Sequence, residues 1–455
     1  VKKYAAIIIG SGSAGFAALE GLHEAGVKPL AMVERRALGG ECPNFACVPT
    51  KALLKSAEVF HVAQHAKEYG IIVDPPGFNW GEVLSRMRGI TARTGAATAR
   101  DDLKDMKVDL LWGEAIFRSP HELEVAGQVY EADRFVIATG SEPRIPDIPG
   151  LAESGYVTSD EIISIEPFPR RLAILGGGPV GLEMSQIFGR FGSEVTLIQS
   201  ADRILPHEEP EVAELVRTRL EAEGIKILTS AQTTSIEQTT QGKRLRLDSN
   251  GRRSSVLVDE ILIASGRQAS TGKLVPEKAG ITLDEAGNVV VDLHLQTSAP
   301  HIWAAGDVVG GYLYTHAAAY GGWVVGQNSL GTPHKSKADF RVVPRGVFTD
   351  PEVGSVGITE AEARKKGGEL LTSLSYYGGG RSLPSGDGLG LIKLVVDAET
   401  DKLLGASLAG PYAAEVVHEL ALAMQAELTI EDIGSTIHAF PTYSESILSA
   451  ISALA

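Results

Sequence analysis

YAAIIIGSGSAGFAALEGLHEAGVKPLAMVE, Tyr4–Glu34, decides the fold. An apolar run, Ala5–Ile9, leads into Gly10-x-Gly12-x-x-Gly15. A stretch of helical character follows, then a second apolar run, Leu30–Val33, that ends on Glu34. This reads as strand, tight turn, helix, strand. The first glycine of such a turn permits the sharp reversal from strand to helix. The second lets backbone approach a pyrophosphate, and the third lets the helix pack against the strand. The helix N-terminus then offers N–H donors to the phosphates. Glu34 stands where a carboxylate accepts hydrogen bonds from a ribose 2′-hydroxyl.

The pattern occurs twice. RLAILGGGPVGLEMSQIFGRFGSEVTLIQ, Arg171–Gln199, carries Gly176-x-Gly178-x-x-Gly181 between the apolar runs Leu172–Leu175 and Val195–Ile198. One such turn is weak evidence. Two in matching strand–helix–strand context predict an α/β fold with two Rossmann-like dinucleotide-binding domains. The second unit ends on Gln199, with Ser200 and Arg203 just beyond. A neutral amide bonds a ribose hydroxyl without repelling a 2′-phosphate, so this site accommodates NADH or NADPH.

The chain has 455 residues, enough for about three domains at ~150 residues each. With 44% hydrophobic and 22% charged residues it reads as an ordinary globular protein. No apolar run reaches the ~18 residues of a membrane span. The N-terminal apolar run is broken by glycines, which argues against a leader peptide. A net charge of −15 and the lack of a basic run argue against nucleic acid.

The chain's 2 cysteines, Cys42 and Cys47, both lie within GGECPNFACVPTKALLKSAE, Gly39–Glu58. Two cysteines cannot form a disulfide framework for so long a chain, which points to the cytoplasm. Zinc normally takes four ligands, and neither a second cysteine pair nor a nearby histidine supplies them, so no metal site is expected. A structural disulfide closing so short a loop stabilises little. The remaining reading is a dithiol–disulfide couple that turns over. TKALLKSAE reads as an amphipathic helix, so the pair would sit around a helix N-terminus, where the dipole favours thiolate. Two dinucleotide sites and a cysteine couple suggest an electron relay, with one dinucleotide held as a flavin and the other exchanging as a nicotinamide.

GGECPNFACVPTKALL resembles the redox segment of the class I pyridine nucleotide–disulfide oxidoreductases, which include dihydrolipoamide dehydrogenase, glutathione reductase and mercuric reductase. FVIATGSEPRIP, with Thr139 and Gly140, resembles the segment closing the first part of the family's FAD domain. ILIASGRQ, with Gly266, resembles the exit from its NAD(P)H domain. TSAPHIWAAGDVVG resembles its second FAD motif, in which Asp307 would hold a ribityl hydroxyl. The resemblance implies FAD and NAD(P)H as cofactors, a homodimer, and a C-terminal motif that completes the partner subunit's site. It makes Cys42 the interchange thiol and Cys47 the flavin-facing thiol. Lys51 would lie beside flavin N5, with Glu183 as its ion-pair partner. It also implies an FAD domain in two parts, 1–148 and 272–333, an NAD(P)H domain at 149–271 and a dimerisation domain at 334–455.

The C-terminal motif departs from the pattern. IHAFPTYSESI, Ile437–Ile447, keeps Pro441 and Glu445, but Phe440 replaces the histidine that serves the family as acid–base. Such a group is worth about 10² to 10⁴ in rate. His438 and Tyr443 are the other proton carriers in the motif, and neither is expected to take its place. Mercuric reductases also carry phenylalanine here, but their C-terminal cysteine pair is absent from SILSAISALA. The expectation is a reductase passing electrons from NAD(P)H through FAD and the cysteine pair to an atypical acceptor: a quinone, a metal ion or a small disulfide. Dihydrolipoamide dehydrogenase and a non-catalytic flavoprotein sensor are the alternatives.

Overall fold

A computed structural model describes residues 1–74, 76–330, 335–388 and 390–454, with backbone alone at residues 95 and 96. The expected start of the C-terminal domain, at 334, lies outside the described residues. The chain divides into two compact units.

The first unit comprises Val1–Ala52, Gly81–Arg144 and Gly266–Phe340. Its centre is a parallel five-stranded sheet. The strands run Ile302–Ala304, Phe135–Ile137, Ala6–Ile9, Leu30–Glu34 and Asp109–Trp112 in spatial order. The first strand in sequence is therefore central, and the crossovers place layers on both faces. Both faces of the Ala6–Ile9 strand are buried, which is why it reads as a continuous apolar run.

The helix Ser13–Glu24 packs on the helix Thr315–Asn328 through small residues. A Cβ on Gly322 would lie 2.2 Å from the Ala14 carbonyl oxygen, and one on Gly326 would lie 3.2 Å from that of Ala18. This close approach fixes where the Thr315 end of the second helix sits.

The second unit comprises Leu53–Trp80, Ile145–Ser265 and Arg341–Ala455. It holds a parallel four-stranded sheet, ordered Lys226–Leu228, Glu194–Ile198, Arg171–Leu175, Glu260–Ile263. An antiparallel meander of Ala231–Thr239, Gly242–Ser249 and Arg252–Val258 accompanies it. The C-terminal part is α+β. Its antiparallel sheet is ordered Arg345–Val347, Val353–Gly357, Leu403–Ala409, Gly390–Asp397, Leu370–Tyr377 and packs against the helix Ala413–Gln425. Two Rossmann-type sheets and a separate C-terminal sheet are the architecture expected from the sequence.

The two glycine turns match in detail. Gly10 and Gly176 have φ of 108° and 120°, in the left-handed region where side chains are strained. A Cβ on Gly10 would lie 2.2 Å from the Ala138 carbonyl oxygen, and one on Gly176 would lie 2.2 Å from that of Ala264. The third glycines are as tight: Gly15 faces the Gly10 oxygen at 1.9 Å and Gly181 the Gly176 oxygen at 2.0 Å. Rigid backbone cannot yield to a methyl group here. Gly15→Ala and Gly181→Ala are each expected to cost about 3 kcal/mol, read as a lower thermal midpoint.

Candidate active site

At the first turn the middle glycine is open: nothing lies within 4 Å of a Cβ built on Gly12. That leaves space for a pyrophosphate beside the N-terminus of the helix Ser13–Glu24. Glu34 is buried, and its carboxylate is fixed from both ends. Ser11 donates from its backbone N–H (3.2 Å) and its hydroxyl (2.6 Å) to Oε2. The N–H groups of Arg35, Arg36 and Ala37 donate to Oε1 at 2.8, 2.6 and 3.2 Å. Thr139 follows the strand Phe135–Ile137, and its Oγ1 is buried with no hydrogen-bond partner among the described residues. An open glycine cradle, an oriented carboxylate and an orphaned hydroxyl fit a bound dinucleotide.

The cysteine segment starts on this cradle. Gly40 lies over Gly12, and a Cβ on Gly40 would come within 2.7 Å of the Gly12 Cα. Asn44 holds the loop by donating from Nδ2 to the carbonyl oxygens of Leu38 and Gly40, both at 2.8 Å. Cys42 lies in the short helix Glu41–Asn44, and Cys47 is the first residue of the helix Cys47–His65. Pro43 is inside the first of these helices and Pro49 is in the first turn of the second, where a missing N–H costs nothing.

Both cysteines are half-buried free thiols joined by a hydrogen bond. That bond is the largest cause of an unequal sharing of charge. It raises Cys42 far above the ordinary thiol range and, with help from Thr315 and the nearby Lys51 charge, lowers Cys47 to about 6. Burial opposes the ionisation of Cys47 and is outweighed. Lys51 follows Cys47 by four positions and so shares its helix face. The Thr315 Oγ1 is 3.5 Å from the Cys47 Sγ. In the reduced pair the thiolate therefore sits on Cys47 and the proton on Cys42.

Thiolate is present above the lowered value and is lost as pH falls through it. Iodoacetamide alkylation of the reduced protein is thus expected to rise with a midpoint near about 6. Thr315→Val should move that midpoint up toward the ordinary thiol range.

Sequence reasoning missed Thr315. It also missed a relay reaching the loop from Asp307. Ser141 donates from Oγ to Asp307 Oδ2 at 2.6 Å and accepts from Arg267 Nε at 2.6 Å. Arg267 also pairs with Glu41, next to Cys42. Both relay residues directly follow motif glycines, Ser141 after Gly140 and Arg267 after Gly266, which is the signal that could have exposed them. The strands that carry them, Ser141–Pro143 and Arg267–Ala269, pair antiparallel.

In the second unit, Gly178 is open as Gly12 is. Gln199 and Arg203 have side chains engaged within their own loop. Gln199 is buried, accepts from the Gly177 N–H at 3.1 Å and donates to the Arg203 carbonyl at 3.4 Å. Arg203 donates to the Pro206 carbonyl at 2.9 Å, while its Nε is buried with no hydrogen-bond partner among the described residues. Glu183 is 3% exposed and its Oε1 accepts the Phe348 N–H at 3.0 Å.

At the C-terminal motif Phe440 is 75% exposed. Both ring nitrogens of His438 are engaged: Nε2 is 2.7 Å from Glu419 Oε1 and Nδ1 is 2.9 Å from the Thr436 carbonyl. Tyr443 donates to Asp387, and burial together with that bond raises its phenol above the usual range. Glu445 precedes the helix Ser446–Ser452, and its Oε2 is buried with no hydrogen-bond partner among the described residues.

Known proteins match the chain over its whole length. The family model described as pyridine nucleotide-disulphide oxidoreductase matches residues 4–322, and that of the family's dimerisation domain matches residues 343–451. The dihydrolipoyl dehydrogenase of Thermus scotoductus is 40% identical, covering 100% of this chain and 98% of its own. The mercuric reductase of Staphylococcus aureus is 35% identical, covering 98% of this chain and 81% of its own. A solved structure, the Cu(II) complex of the HOCl-induced flavoprotein disulfide reductase RclA from Escherichia coli, matches with a TM-score of 0.88. Its identity is 31%, and the match covers 99% of both chains. The chain belongs to the class I pyridine nucleotide-disulphide oxidoreductases and is an FAD- and NAD(P)H-dependent enzyme with that family's dimerisation domain.

Proposed function

We propose that this enzyme is an NAD(P)H-dependent reductase whose electrons leave through Cys42 and Cys47 to a thiophilic metal ion such as Cu(II) or Hg(II). The observation that carries this reading is the pairing of a stabilised thiolate with a C-terminal motif that lacks a proton donor at Phe440. Reducing a disulfide acceptor ends in thiols that must be protonated. Reducing a metal ion does not. The thiol–thiolate pair gives up two electrons, to one Hg(II) or to two Cu(II) ions, re-forms the Cys42–Cys47 bond and releases its one proton to water, so no protein acid is needed. The mercuric reductases and the Cu(II)-bound flavoprotein among the relatives support the same class of acceptor.

FAD, when bound, supplies two-electron transfer between a nicotinamide and the disulfide. The chain's own residues set the stage for it. The Gly10–Gly15 turn would hold the FAD pyrophosphate, Glu34 its ribose, and Asp307 with Thr139 its further hydroxyl and polar groups. The Gly176–Gly181 turn would bind NAD(P)H, with Gln199 fixing the loop at its ribose end. Cys47 keeps the thiolate, Lys51 and Thr315 stabilise it, and Cys42 meets the acceptor. The domain limits given above, a homodimer and a cytoplasmic location complete the proposal, since thiols that cycle with NAD(P)H suit a reducing compartment.

The identity to dihydrolipoyl dehydrogenase favours a second reading, lipoamide as the partner. An acceptor panel with NADH and with NADPH separates the two. Metal-ion-dependent oxidation well above that with lipoamide or quinone is expected. Lipoamide turnover faster than metal reduction would overturn the proposal.

A further inference from the structure

The second glycine turn is gripped from outside its own domain. Three buried polar residues, Glu183, Gln186 and Arg190, lie on one face of the helix Pro179–Arg190 that opens at the turn. Their spacing of three and four places them in a row. The C-terminal segment Arg345–Asp350 runs along that row. Phe348 donates its N–H to Glu183 at 3.0 Å. Asp350 donates its N–H to Gln186 Oε1 at 2.8 Å, and its carbonyl accepts from Gln186 Nε2 at 2.9 Å. The Asp350 carboxylate meets Arg190 at 2.7 Å, and Glu223 meets the same guanidinium.

The other side of the turn is held as well. The loop after Gln199 is tied to the turn by the Leu205 N–H on the Gly177 carbonyl, 2.9 Å. The far end of the loop carries Glu208 and Glu209, both buried. Glu208 pairs with Arg345 at 3.2 Å. Glu209 accepts the Glu360 N–H at 2.6 Å and pairs with Lys393 at 3.0 Å. Lys393 is 5% exposed and also meets Glu211 at 2.9 Å and Glu360 at 2.8 Å. Burial disfavours this cation, but Glu360, Glu211 and Glu209 more than offset it and hold Lys393 above its ordinary range. Removing one partner from such a cluster leaves uncompensated charge and frees the segment it held.

We infer that Lys393 and the segment Arg345–Asp350 are positioning residues for the nicotinamide dinucleotide, clamping the helix and the loop that flank the Gly176–Gly181 turn. This rests on the assignment of NAD(P)H to that turn. The C-terminal part thereby sets coenzyme affinity as well as forming the family's dimerisation domain.

The test measures NAD⁺ and NADP⁺ binding to the FAD-loaded enzyme by calorimetry, alongside hydrogen exchange of the 176–182 and 200–209 amides. In Lys393→Met the dissociation constant of the preferred coenzyme should rise about five- to tenfold, the scale of coupling between linked sites. The 200–209 amides should exchange faster, and turnover at saturating coenzyme should stay within about twofold of the parent. Lys393→Arg should restore most of the affinity. If Lys393→Met does not fold, Lys393→Met with Glu209→Gln removes both charges together, and Gln186→Leu cuts the helix contact; the same rise is expected in each. Unchanged affinity would overturn the inference, as would exchange that quickens uniformly across the unit, which would mark a role in stability alone. If the parent enzyme binds coenzyme without protecting the 176–182 amides, the site assignment itself fails and the inference falls with it.

Discussion

Cys42→Ser is expected to lower metal-dependent NAD(P)H oxidation by at least ~10³-fold, the scale seen when a reacting nucleophile is removed. The pair shares one proton, with Cys42 holding it and Cys47 carrying the charge. Losing Cys42 removes the atom that meets the acceptor, prevents the disulfide from re-forming and takes away the hydrogen bond that most favours the Cys47 thiolate. Cys47→Ser should be equally inactive. Coenzyme binding should survive both changes, because neither residue lies in the second unit. Steady-state rates with metal ion and with quinone decide the matter. A Cys42→Ser enzyme that kept its full metal-dependent rate would show that electrons leave without the thiols.

The second large effect lies in the C-terminal motif. Phe440→His is expected to raise reduction of a small disulfide such as lipoamide by ~10²-fold or more, the lower range for general acid–base catalysis. Metal reduction should not rise. The phenylalanine is 75% exposed, so the substitution opens no cavity in the core. Glu445 keeps a buried Oε2 with no hydrogen-bond partner among the described residues, ready to accept from an imidazole. Phe440→Ala is the control, since it removes the ring without adding a base. If histidine gave no gain over alanine, the missing proton carrier would not be what steers the choice of acceptor.

Local pattern made the two glycine turns, the strands beside them and the helix after Cys47 legible. Each depends on residues close in sequence: apolar runs, glycine spacing and helical periodicity. The parts that were not legible depend on long-range meetings. Thr315 is 268 residues from Cys47, and the packing of Gly322 and Gly326 on Ala14 and Ala18 brings it there. Arg267 and Ser141 are 126 residues apart and meet across paired strands.

Polar residues misled in a second way. Taken without the family resemblance, Glu183 reads as a charge on the surface of a helix. It is 3% exposed, and its Oε1 accepts the Phe348 N–H from the C-terminal segment. Lys393 lies within an apolar strand, and nothing local announces that the glutamates of HEEPE will surround it. Gln199 stands at the expected strand end, but its amide is spent on the Gly177 N–H and the Arg203 carbonyl, contacts that residue type alone does not foretell.

The most direct measurement starts from oxidised, FAD-loaded enzyme under anaerobic conditions. NAD(P)H is added without an acceptor, the thiols are alkylated and the alkylated positions are read by mass spectrometry. Alkylation should appear at Cys42 and Cys47 after coenzyme addition and be absent without it. Cysteines that stay unmodified after the coenzyme has been oxidised would contradict the claim that this pair receives its electrons.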